Sequence, residues 1–184
     1  MINQHPEKNR RVLVIDDNKA IHDDFRKILS PDEPTRAALD IRETELFGNL
    51  ADEDHQPQFE IDSAYQGPEG VTRVEEALAA QRPYAMAFVD MRMPPGWDGL
   101  KTARKIVEVD SEIQIVICTA YTAYSWKELS EQIGNSDRMV ILKKPFDTVE
   151  ALRLANALTE KWHLIRFDLK KTQRLMLKNR GRRE

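Results

Sequence analysis

YAMAFVDMRMPPGWDG, residues 84–99, is a near-continuous apolar run that ends in an acid, Asp90, and breaks into a Pro/Gly loop. An apolar run without alternation is what a strand covered on both faces requires. Three more runs have the same character: Arg11–Asp16 (RVLVID), Ile113–Cys118 (IQIVIC) and Arg138–Leu142 (RMVIL). Gln58–Ala64 (QFEIDSA) alternates instead, which fits an edge strand with one wetter face. Helical patterns lie between the runs, at Lys19–Leu29, Gly67–Gln81, Trp97–Val109, Ser125–Gly134 and from Thr148 onward. Five alternating β and α units predict an α/β fold, a doubly wound five-stranded parallel sheet with right-handed crossovers. An edge-like second strand favours the flavodoxin-like order 2-1-3-4-5 over 3-2-1-4-5-6.

At 184 residues there is room for one such domain and an extension. The reading divides the chain into a polar tail, 1–10, a domain, 11–160, and a basic helical extension, 161–184. Within the domain, residues 30–57 separate the first helix from the second strand by more than an ordinary αβ loop. Such a loop lies at the N-terminal edge of a parallel sheet, whereas ligands bind at the carboxyl edge, so the insertion is expected to stay clear of the chemistry.

Hydrophobic residues make up 41% and charged residues 32% of the chain, as in a soluble globular protein. One cysteine, Cys118, forbids an internal disulfide and suits a reducing cytoplasm; its apolar surroundings predict a buried, inert thiol. MINQHPEKNRR has no apolar core of a secretory signal, and no stretch has the length of a membrane span, so a cytoplasmic protein without membrane contact is expected. The net charge of −3 is uneven: residues 161–184 hold nine Lys/Arg against two acids, and the other 160 residues sum to −10.

The chemistry-bearing residues all follow strands. Asp16 and Asp17 follow the first, Asp90 ends the third, Thr119 follows the fourth and Lys144 the fifth. In order 2-1-3-4-5 the switch point lies between strands 1 and 3, so three carboxylates are expected in one crevice. Three neighbouring acids repel one another and must raise a pKa or bind a cation. An oxygen-only set without His or Cys favours a hard ion, Mg²⁺ above all. Lys144 supplies a mobile positive charge for a phosphoryl oxygen, and Thr119 a hydroxyl donor. Singly, each residue has a plainer use; Asp17, for example, is a candidate cap for the first helix.

These residues resemble the response-regulator receiver domain of two-component signalling, and the chain is similar to the chemotaxis regulator across residues 10–160. The resemblance rests on IDD at Ile15–Asp17, VDMRMPPGWDG at Val89–Gly99, TA at Thr119–Ala120 and KPF at Lys144–Phe146. It implies that Asp90 is the phosphoacceptor. It further implies that Asp17, Asp90 and the backbone carbonyl of Arg92 ligate Mg²⁺, with Asp16 acting through water. Thr119 would be the switch hydroxyl, Lys144 the partner of the phosphoryl group, and Lys144–Pro145 a cis bond. The donor would be a sensor histidine kinase, a phosphotransfer protein or a small acyl phosphate, and the chain a covalent switch rather than a turnover enzyme. The loop carries one extra residue among Pro95, Gly96 and Trp97, and Ile141 stands where the family has a switching Tyr or Phe. With the insertion, PPGWDG is similar to receivers attached to multidomain sensor kinases or cyclic-di-nucleotide enzymes.

The last helix is longer than the domain needs. Ala155, Leu158, Trp162, Ile165, Leu169, Thr172 and Met176 follow alternating three- and four-residue steps, predicting a coiled-coil homodimer. The basic residues also permit nucleic-acid contact, but they are spread around the helix without an aromatic stacking set, so a solvated flank is preferred. A receiver-shaped scaffold that accepts no phosphate is disfavoured by the intact acids, Thr119 and Lys144. An aspartyl phosphatase of the haloacid dehalogenase type would need Asp-x-Asp after the first strand, where this chain has adjacent acids.

Overall fold

The computed structural model describes residues 8–31, 58–120 and 138–180. Its strands are β1 (Arg11–Ile15), β2 (Glu60–Ala64), β3 (Met86–Asp90), β4 (Gln114–Thr119) and β5 (Met139–Lys143). They form one parallel sheet in the order β2-β1-β3-β4-β5, the predicted doubly wound arrangement. Four helices fall among the described residues: α1 (Lys19–Leu29), α2 (Gly67–Ala79), α3 (Gly99–Val109) and α4 (Thr148–Arg180). The helix expected at Ser125–Gly134 and the interior of the 30–57 insertion lie outside the described residues.

The unbroken apolar runs arise because both faces of the central strands are covered. Leu13, Ile15, Ala87, Val89, Ile115 and Ile117 point toward Val74 of α2 and Leu100, Ala103 and Ile106 of α3. The intervening Val12, Val14, Phe88, Val116 and Leu142 point toward Phe25 and Leu29 of α1 and Leu152, Ala155 and Leu158 of α4. Each valine, leucine, isoleucine or phenylalanine among them contributes about 1.5–3 kcal/mol on full burial, so a charge at Val14 or Ile117 would break the layer it serves. β2 lies at one edge and keeps a partly exposed face, as its alternation predicts.

Three helices start where expected, at Lys19, Gly67 and Thr148, whereas one cap and one start differ. α1 is capped by Asn18, whose side chain accepts from Ala20 N at 3.0 Å, and not by Asp17, which stays exposed. α3 begins at Gly99, two residues after the expected Trp97, because Asp98 caps it by accepting from Lys101 N at 2.7 Å. Gly99 is required by close approach: a Cβ there would meet the Asp90 carbonyl oxygen and lie 2.9 Å from Met91 Cα.

α4 runs for 33 residues, about 50 Å. Its first part covers the sheet, with Ala155 fully buried and Trp162 only 5% exposed. The first three positions of the expected heptad seam, Ala155, Leu158 and Trp162, are therefore buried in this chain's own domain. Beyond them Leu164, Phe167 and Leu169 are exposed. No helix of the described residues is long and apolar enough to cross a membrane.

Candidate functional site at the carboxyl edge of the sheet

β1 pairs with β3 as far as Ile15 opposite Val89, and Asp16 is the first residue beyond. It is 3% exposed and held from several sides. Its N–H donates to the Ala64 carbonyl at the end of β2 (3.2 Å). His22 Nε2 of α1 lies 2.7 Å from its carbonyl, and Asn18 N donates to its Oδ1 at 2.9 Å. Asp90 closes β3, and its Oδ2 accepts from Arg92 N at 2.8 Å. Thr119 closes β4, buried, and its carbonyl accepts from Lys144 N at 2.7 Å, which fastens the loop after β5 to the same edge.

Lys144 joins the two acids. Its Nζ donates to Asp16 Oδ2 and to Asp90 Oδ1, each at 2.7 Å. Burial by itself would lower the affinity of this amine for its proton, but the two carboxylates outweigh burial and hold its pKa above the ordinary lysine value. Lys144 is thus an ammonium throughout the physiological range, one positive charge set between two negative ones.

The structure brings Asp16, Asp90, Thr119 and Lys144 to one edge, as the chain order implies. Asp17 adjoins them in sequence but is exposed, and among the described residues no three acids, histidines or cysteines lie close enough to hold a metal together. The Lys144–Pro145 bond is cis, as the resemblance implies, and Pro94–Pro95 is cis as well. Ile141, opposite Ile117 on β5, packs against the α2/α3 layer.

Three features escape the motif reading. His22 lies in the apolar stripe of α1 with Phe25, Ile28 and Leu29, and a histidine in such a stripe is the signal that would have marked it. Asn18 is both helix cap and support of Asp16. Trp97 carries the Lys101 ammonium over its ring at 4.6 Å, beside the Asp90 loop. Cys118 is buried and burial pushes its thiol well up, which removes it from nucleophilic chemistry.

A cavity of about 640 Å³ lies elsewhere. It is lined by Arg10, Arg11, Arg82 and Arg166 beside Trp162 and Phe167 and opens at the N-terminal edge of the sheet, opposite the acids. Its arginines are largely neutralised: Glu60 pairs with Arg11 and Arg82, and Glu112 with Arg166. Size alone is outweighed here by the convergence of charge at the carboxyl edge, where open parallel sheets bind ligands.

Among curated protein sequences no match is found. The family model described as response regulator receiver domain matches residues 43–156, more than half of the chain. Solved structures align over more of it. An adenylate cyclase from Rhodopirellula baltica is 17% identical with a TM-score of 0.61, covering 90% of this chain and 98% of its own. A CheY-like response regulator receiver domain protein from Methanospirillum hungatei JF-1 is 19% identical with a TM-score of 0.55, covering 84% and 96%. The beryllofluoride-activated NtrC4 receiver domain dimer is 19% identical with a TM-score of 0.56, covering 83% and 98%. At these identities the structures bear on the fold, while the family model bears on descent. With its sheet order and the lysine-bridged acids of its carboxyl edge, the chain belongs to the response regulator receiver domain family.

Proposed function

We propose that this chain is a phosphoacceptor switch of a two-component relay, with Asp90 as the residue that takes the phosphoryl group. The observation that carries this reading is the meeting of Asp16 and Asp90 on the Lys144 ammonium at 2.7 Å each, at the switch point between β1 and β3. Receiver domains take phosphate from histidine kinases, act in general as signalling switches and typically bind Mg²⁺ at their acidic pocket.

The donor set suits that ion. Every candidate ligand is an oxygen, and two acids already share one cation, with Asp17 adding a further charge beside them. Asp17, Asp90 and the Arg92 carbonyl would hold Mg²⁺, with Asp16 acting through water, and the ion would neutralise phosphoryl oxygens.

The protein's own groups supply the rest. An Asp90 carboxylate oxygen attacks phosphorus in line. The bond from phosphorus to the donor's histidine nitrogen, or to the oxygen of a small acyl phosphate, breaks and its electron pair leaves with the donor. The new bond is an acyl phosphate on Asp90. Lys144 exchanges a carboxylate oxygen for a phosphoryl oxygen, keeping an ion pair throughout, and Thr119 donates its hydroxyl to another. The backbone N–H of Arg92 restrains Asp90 so that little orientation is left to chance.

The partner would be a sensor histidine kinase or phosphotransfer protein in the cytoplasm. Some receivers dimerise, and the exposed Leu164, Phe167 and Leu169 of α4 support a homodimer in which the helix passes on the signal. Light scattering with Mg²⁺ and beryllofluoride tests this: a dimer, constant or switched, agrees with it, and a constant monomer contradicts it. For phosphorylation itself, intact mass after incubation with acetyl phosphate is decisive. One added phosphoryl group that requires Mg²⁺ and is lost in Asp90→Asn is expected. A phosphoryl group that persists in Asp90→Asn would overturn the assignment.

A further inference from the structure

We infer that His22 is a positioning residue for the metal-binding turn: through the Asp16 carbonyl it sets the direction in which the chain presents Asp17. The inference rests on the phosphoacceptor reading above.

His22 is fully buried on α1, between the sheet and the turn after β1. Its Nε2 lies 2.7 Å from the Asp16 carbonyl oxygen. A carbonyl only accepts, so Nε2 carries the proton and the bond is a donation from the ring. The Asp16 carbonyl faces the β2 side, as its N–H does, one residue beyond the last β1–β2 pair, Ile15–Ala64, where the sheet offers it no ladder partner. Among the described residues no other donor reaches it. The carbonyl of Asp16 and the N–H of Asp17 belong to one planar peptide unit. Fixing the first fixes the second and the place of the Asp17 Cα, from which its side chain leaves. Among the described residues nothing else restrains Asp17: its neighbours Asp16 and Asn18 are bonded to each other, to Ala20, to Ala64 and to Lys144, while Asp17 itself faces solvent.

The imidazole is an expensive choice for its place. Phe25, Ile28 and Leu29 share its stripe, and the other ring nitrogen, Nδ1, is buried without a hydrogen-bond partner among the described residues. An apolar residue would avoid that orphaned acceptor. The Tyr65 ring, 4.7 Å from the imidazole between centroids, closes the side toward β2. Packing therefore argues against histidine here, and the one thing the ring gains is its hold on the Asp16–Asp17 peptide.

Two variants separate this role from packing. In His22→Gln the amide nitrogen stands near the place of Nε2 and can still donate; in His22→Asn the shorter amide stands near Nδ1 and cannot. Both are made in the full chain, with folding followed by circular dichroism. Mg²⁺ alone is titrated by calorimetry, and acetyl phosphate transfer is followed as a function of Mg²⁺. The Asn variant is expected to bind Mg²⁺ about tenfold more weakly, the scale on which partners of metal ligands act. Its transfer rate at saturating Mg²⁺ should hold, and the Gln variant should return toward wild type. Equal Mg²⁺ affinity in wild type and a folded Asn variant would overturn the inference while leaving the phosphoacceptor reading intact. A wild-type chain that neither binds Mg²⁺ nor accepts phosphate would overturn both.

Discussion

Replacing Lys144 by methionine removes the cation between buried Asp16 and half-buried Asp90 and keeps most of the aliphatic stem. Asp16 and Asp90 have side chains only 4% and 12% exposed, and both lose a 2.7 Å charge-assisted hydrogen bond. A charged hydrogen bond is worth about 1.5–3 kcal/mol, and two would suggest about twice that. The lysine side chain is itself 20% exposed, so water compensates part of the loss, and about 3 kcal/mol at neutral pH is the reasonable figure. For a domain of this size that lowers Tm by about 6–12 °C. The deficit should depend on pH with a definite sign. With no cation between them the two carboxylates repel, and protonating one relieves the repulsion in the folded state only. The folded variant then binds a proton that the unfolded chain does not, so its stability relative to wild type recovers as pH falls. Urea unfolding at pH 7.5 and pH 5, in EDTA and then in millimolar Mg²⁺, reads all of this: the gap should narrow in acid and on adding Mg²⁺. A loss below about 1 kcal/mol that ignores both pH and Mg²⁺ would refute the electrostatic account of the site.

Further expectations follow from other contacts. Gly99→Val should cost about 1–3 kcal/mol and slow phosphorylation, because its Cβ displaces the backbone of Asp90 and Met91; thermal melts and acetyl phosphate kinetics check it. Arg11→Met should cost about 1–2 kcal/mol in urea unfolding, since it loses Asp62 at 2.7 Å, Glu60 at 3.1 Å and the stack on Tyr84, yet leave phosphorylation unchanged at the far edge of the sheet. Cys118 should react with a disulfide reagent at pH 8 only after unfolding. Because both its thiol and the Lys144 amine hold their protons more tightly in the folded state, stability should be intact below the ordinary thiol range and decline as pH rises beyond it.

Much of this was legible in the residues. A run such as RVLVI is apolar throughout only because odd and even positions meet different helices, and that fixed a parallel sheet with two covered faces. The wetter alternation of QFEIDSA marked the edge, and the edge chose between two strand orders. Asp16, Asp90, Thr119 and Lys144 were readable because each ends or follows a strand, so topology alone brings them together. Helix caps were less legible: Asn18 and Asp98 are caps by virtue of backbone direction, which composition does not encode. His22 was hidden by its stripe, where the eye takes it for core. Trp162 was misread as part of an intermolecular seam because periodicity cannot say whether a helix face meets its own domain or another chain.

The roles of Asp16, Asp17, Thr119 and Lys144 all depend on which residue is phosphorylated. After incubation with acetyl phosphate and Mg²⁺, borohydride reduction turns an aspartyl phosphate into homoserine, and peptide mass spectrometry locates it. Homoserine at position 90, dependent on Mg²⁺, is the expected result. Homoserine at position 16 or 17, or at any site away from the carboxyl edge, would contradict the assignment of Asp90 and the roles built around it.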